Sequence, residues 1–194
     1  MVSLTRLAVL AGAALHVSAL GLPSRGQGPP PHPPHPPFGP CMRPPDVQTI
    51  VWAYQQLIAN YSDALCERFC APDLYDFSDS ISTLAGRPTG QPLVSGKQAF
   101  MASQKRIPPS PLVVGGGVPL ASCDRVAVVW TAAFGPPAKS ARGITLLTTT
   151  PAPAGPDAGW LIKGIDVEFN SLAWLEDAGG SYTLPPPPPP AQKA

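Results

Sequence analysis

Proline decides where this chain can fold. Of its 194 residues, 29 are proline, and they crowd the two ends. Pro29 to Pro37 is broken only by His32 and His35, and Pro185 to Pro190 is unbroken. Proline fixes φ and has no N–H to give to a ladder, so such runs favour extended polyproline II and bury nothing. A core can be built only between them. The chain therefore divides into a leader segment over 1–19, a proline-rich stretch over 20–40, one domain over 41–184 and a proline-rich tail over 185–194. The central part has the usual size of a single domain.

The first nineteen residues read as an export signal. Arg6 supplies the positive start, Leu7 to Leu20 is apolar, and Val17, Ser18 and Ala19 give a small-residue exit, so cleavage is expected after Ala19. A secreted, extracellular protein with no membrane association after cleavage is the expectation. Cysteine usage fits an oxidising compartment: Cys41, Cys66, Cys70 and Cys123 are even in number, and three pairings are open. Zinc would want Cys-x-x-Cys or Cys/His clusters, which are lacking, and neither metal nor cofactor is expected. His32 and His35 lie one polyproline turn apart, too far for joint chelation, and read as solvated linker residues. A net charge of +1 with 13% charged residues gives no basic face for nucleic acid. Asn60-Tyr61-Ser62 is an acceptor for an N-glycan.

Within 41–184 the periodicity changes from helix to strand. Asp46 is placed to cap a helix carrying Ile50, Tyr54, Leu57, Ile58 and Tyr61 at three- and four-residue spacing. Ser62 caps a second, with Leu65, Phe69, Cys66 and Cys70, ended by Pro72. A loop through Ser78, Asp79 and Ser80 follows, then a third helix over Ser95 to Lys105. From Pro111 onward the texture is strand: a bent Leu112 to Val118, then Arg125 to Phe134, Gly143 to Thr150 and Trp160 to Phe169. Ser171 to Asp177 closes the domain as a short helix. Helices followed by antiparallel strands predict an α+β domain with helices on one face of a curved sheet.

The domain resembles a family of secreted fungal proteins with a nuclear transport factor 2-like domain, related to the SnoaL-like superfamily. The residues that carry the resemblance are Tyr75-Asp76-Phe77-Ser78-Asp79-Ser80-Ile81, Lys97-Gln98-Ala99-Phe100, Cys123-Asp124, Arg142-Gly143-Ile144-Thr145, Ile165 to Asn170, Ser171 to Leu175 and the Gly179-Gly180 pair. The resemblance implies a cone: a curved antiparallel sheet wrapped round three N-terminal helices, with a pocket at its open end. It also implies a Cys41–Cys123 disulfide, which leaves Cys66 and Cys70 to bond each other or to remain buried thiols. Isomerases, polyketide cyclases, dehydratases, transport factors and non-catalytic binders share the wider fold, so the site must decide.

All three histidines, His16, His32 and His35, precede the domain. Triad chemistry and a His-ligated metal inside it are excluded. Carboxylates remain. Asp166 and Glu168 share one face of a strand, with Ile165, Val167 and Phe169 on the other. If the acids faced inward, Asp166 could act as a base on a carbon acid; the alternation favours the apolar set as core. Arg142 is placed to pair with Glu168 across the hairpin. Asp76 and Asp79 could rim a pocket mouth, although Asp and Ser here more often make turns and caps. Trp130, with Trp52, Trp160, Trp174, Phe77, Phe100 and Phe134, could line an apolar cavity. The candidate ligand-binding set is thus Asp76, Asp79, Trp130, Arg142, Asp166 and Glu168. The functional expectation is a secreted, non-catalytic ligand-binding or interaction module. A small hydrophobic ligand and a homodimer through the sheet are its expected partners. The alternatives are a cofactor-independent isomerase or cyclase using Asp166 or Asp79, and an extracellular effector that meets a host or cell-wall partner through its proline flanks.

Overall fold

The structure is a computed structural model and describes residues 41–115, 117–133, 139–153 and 159–183. The leader, the proline runs and Phe134 lie outside the described residues. The first helix, α1 (Pro44–Ala59), starts earlier than expected. Arg43 is its N-cap, and Asp46 sits one turn in, accepting from the Arg43 backbone N–H at 2.9 Å. Pro44 and Pro45 open the helix because the first turn has no use for their missing N–H groups. Ile50, Ala53, Tyr54 and Leu57 form its buried stripe.

Ser62 caps α2 (Asp63–Phe69) through its side chain, as expected. The chain then departs from the sequence reading. Cys70 is extended and begins a strand, β1 (Cys70–Phe77), where a loop was expected. A short helix α3 (Asp79–Leu84), capped by Ser78, replaces the loop at Asp79 and Ser80. Then come β2 (Pro92–Ser95), α4 (Lys97–Gln104), β3 (Leu112–Val114) and β4 (Leu120–Ala121). The long strands are β5 (Arg125–Ala132), β6 (Ala141–Pro151) and β7 (Trp160–Phe169), and α5 (Ser171–Asp177) closes the domain.

The strands form one curved, unclosed sheet in the order β2-β1-β7-β6-β5-β3, with β4 also on β5. The α+β class and the helix-lined curved sheet are as expected. The sheet is not antiparallel throughout, because β1 runs parallel to β7. Helices α3 and α4 interleave with β1 and β2, so the helical part is not a simple run of three before the sheet.

Alternation along β6 and β7 fixes the two faces. Gly143, Thr145 and Leu147 on β6, with Ile165 and Val167 on β7, turn inward onto α1. Gly143 is required by its neighbour: a Cβ there would lie 2.2 Å from the Trp130 ring. Gly164 accommodates Tyr75 in the same way on the opposite face, at 2.4 Å. Cys41 and Cys123 are bonded across a separation of 82 residues, which ties the start of α1 to the beginning of β5. Cys66 and Cys70 are buried free thiols. Of the two expected outcomes, a mutual bond or two buried thiols, the structure shows the second: Cys70 turns extended at the C-cap, although its N–H still bonds the Cys66 carbonyl. The two thiols share a hydrogen bond, which together with burial holds the Cys70 thiol far above its ordinary range.

Candidate functional site

Between α1, the inner face of the sheet and the segment from α3 to α4 lies a cavity of about 440 Å³. Its walls are mostly apolar: Ile58, Ile81, Leu84, Leu93, Val94, Ile107, Leu112, Ile165 and Val167 all contribute. Three rings close one side. Trp130 from β5, Phe169 at the end of β7 and Trp174 from α5 are in mutual contact, with centroid separations of 5.7, 4.9 and 6.4 Å for Trp130–Phe169, Phe169–Trp174 and Trp130–Trp174.

The polar lining comes from Tyr54, Asp76, Arg87, Ser103, Gln104 and Ser110, and the Tyr54 hydroxyl and Trp130 indole are held by Thr145. Thr145, fully buried, receives the Trp130 indole N–H at 2.9 Å and meets the Tyr54 hydroxyl at 2.7 Å. The indole is thereby fixed in plane, and a helix residue is tied to two strands. Burial, reinforced by the nearby Asp76 charge and opposed by the Thr145 contact, holds the Tyr54 phenol above its ordinary range.

Asp76 lies on β1 opposite Val94 of β2 and Ile165 of β7, two residues after the buried Leu74, and so points inward. Its Oδ1 is sealed from solvent and has no hydrogen-bond partner among the described residues. Desolvation, with a smaller push from the Asp166 charge, raises its carboxyl to about 7. An acid in that condition exchanges its proton near neutrality and has strong unmet demand for a donor.

The other sequence candidates separate cleanly. Trp130 lines the cavity with Asp76. Asp166 and Glu168 face away from it, as the alternation on β7 favoured. Asp166 accepts from the Tyr75 hydroxyl at 3.0 Å. Glu168 caps α3, accepting from the backbone N–H of Asp79 at 2.6 Å and of Ser80 at 3.0 Å, and from the Ser80 hydroxyl. That duty takes the place of the expected ion pair, and Arg142, opposite Thr131 on the outer face, makes no ion pair among the described residues. Asp79 accepts from Gly90 N–H at 2.7 Å and serves the loop after α3. Tyr54 and Thr145 were missed: the spacing on α1 marks Tyr54 only as core, and nothing local announces that a threonine on β6 will meet its hydroxyl. Among the described residues no group of three or more His, Cys, Asp and Glu is placed to hold a metal ion.

A family model described as an NTF2-like domain matches residues 40–181. The chain belongs to the NTF2-like family. No curated protein matches the sequence. Among solved structures, it is similar to a SnoaL-like protein of unknown function from Burkholderia thailandensis, with 16% identity, 67% of this chain and 98% of that chain covered, and a TM-score of 0.47. An NTF-2 like protein of unknown function from Burkholderia xenovorans gives 11%, 75%, 91% and 0.47 in the same order. A protein with a ketosteroid isomerase-like fold from Catenulispora acidiphila, solved in complex with trimethylamine, gives 14%, 70%, 97% and 0.47.

Proposed function

We propose that this protein is a secreted ligand-binding module whose cavity takes a small, predominantly apolar molecule and offers Asp76 to a hydrogen-bond donor on it. The observation that carries the reading is the Asp76 Oδ1, unpartnered among the described residues, in a mostly apolar wall. Buried polar groups are satisfied as a rule, and an orphan costs about 1–3 kcal/mol. A ligand donor removes that cost while its body covers apolar surface, and the volume lies within the usual range of small-molecule sites. Native mass spectrometry of protein purified from culture fluid tests this. A retained small molecule, lost in Asp76→Asn, is expected. An empty cavity in the secreted protein, with no stabilisation by small apolar alcohols or amines, contradicts it.

A second reading rests on the same carboxyl. A base poised near neutrality in a dry pocket, with the Tyr54 hydroxyl also lining it, suits proton transfer on a carbon acid. This is the isomerase-type alternative, with Asp76 in the place first considered for Asp166 or Asp79. Solvent deuterium exchange into cyclohexanone separates the two. The binding module gives no Asp76-dependent exchange, and the enzyme does.

Export is supported by the Arg6 to Ala19 pattern, and sequencing of the secreted form is expected to begin at Leu20. Asn60, exposed at the end of α1, is open to glycosylation. Self-association through the outer sheet face is supported by Val113 and Ile144, each 57% exposed. Ile144→Glu is expected to turn a dimer into a monomer in sedimentation.

A further inference from the structure

Charge narrows the class of ligand. Among the described residues the cavity wall holds one acid, Asp76, and one base, Arg87. Arg87 is exposed at the rim and spends an N–H on the Leu93 carbonyl at 3.2 Å, so it does not neutralise the carboxyl inside. The nearest charge felt by Asp76 is a second carboxylate, Asp166, on the other face of the sheet. Among the described residues no cation offsets Asp76, and a buried carboxylate needs a positive charge. The aromatic side of the same cavity is suited to a cation. Trp130, Phe169 and Trp174 present π-systems within one contact cluster, and the Trp130 N–H is already committed to Thr145. Aromatic rings attract a desolvated cation to their faces.

We propose that the ligand is a small lipophilic amine, bound as its ammonium ion with an N–H on Asp76 and its charge shared by the rings of Trp130, Phe169 and Trp174. This rests on the ligand-binding reading above and makes it specific. A neutral alcohol fills the hydrogen bond but brings no charge. A carboxylate places a second negative charge against Asp76 and gains only the screened Arg87 at the rim. An ammonium ion meets both demands and has an apolar body for the rest of the wall.

The test uses the full chain and three ligands of one shape: cyclohexylmethylamine, cyclohexylmethanol and cyclohexanecarboxylate, titrated by tryptophan fluorescence near neutral pH. The amine is expected to bind at least about tenfold more tightly than the alcohol. Asp76→Asn, near-isosteric and relieved of a buried charge, is expected to erase that preference, bringing the amine down to the alcohol. In the wild type the amine is expected to bind more tightly as pH rises through neutrality, because the carboxylate forms there. Tyr54 from α1 and Asp166 from β7 are the titratable groups that bear on Asp76, with Arg87 at the rim, while β2 contributes the apolar Val94. An alcohol that equals the amine, or a carboxylate that binds best, overturns the amine proposal and leaves the cavity as a binding site. Failure of all three to bind overturns both.

Discussion

At the scale of single residues, Asp76 should leave a mark on stability as well as on binding. Its folded carboxyl keeps a proton up to about 7, whereas an unfolded chain releases it near 4. Between those values the folded state binds more protons, so stability falls as pH rises through that window and is flat above it. The loss is on the order of 2–4 kcal/mol. Asp76→Asn removes it. Urea midpoints should show the variant gaining on the wild type from about pH 4 to about pH 7; a constant difference would mean that Asp76 is not desolvated. Gly143 makes a sharper steric claim. Its missing Cβ is occupied by Trp130, which is 2% exposed and pinned by Thr145, so the ring has nowhere to go. Gly143→Ala should cost about 2–3 kcal/mol. Gly164→Ala should cost less, because Tyr75 is only partly buried and can swing outward. Equal penalties would contradict the difference in packing.

At the scale of elements, the long strands were legible and the short ones were not. Alternation in Ile165, Val167 and Phe169 against Asp166 and Glu168 assigns both faces of β7 from sequence alone, and the structure agrees. In β1, Pro72, Asp73 and Asp76 are poor strand formers, so the segment reads as a loop. It is a strand because β2 and β7 flank it on both sides, a pairing that no local signal reports. That is why Asp76 reads as a rim residue when it points inward from a strand. Helix α3 has the same origin. Asp-Ser-Ile-Ser-Thr-Leu has weak helix propensity, and its first turn is held by Ser78 from within and by Glu168 from the distant end of β7. Glu168→Ala should therefore cost about 1–2 kcal/mol and loosen α3, seen as faster amide exchange at Ile81 and Ser82. Unchanged exchange would deny Glu168 its capping role.

At the scale of the whole molecule, proline placement and cysteine count were the legible constraints. The matched family segment, 40–181, nearly coincides with the stretch between the proline runs. The Cys41–Cys123 bond closes a loop of 82 residues, and such a loop contributes on the order of 4 kcal/mol in the chain-entropy model. Replacing both cysteines by serine should lower the unfolding free energy by about 3–4 kcal/mol; a loss below about 1 kcal/mol would mean that the unfolded chain is already constrained. What the sequence could not show is where three distant segments meet. Tyr54, Asp76 and Trp130 come from α1, β1 and β5, and only the wrapped sheet brings them to one cavity. The account turns on the state of one carboxyl there. A carbon-detected NMR titration of the Asp76 side chain in the ligand-free protein should give a midpoint near 7. A midpoint near 4, that of an ordinary solvated aspartate, would contradict the account.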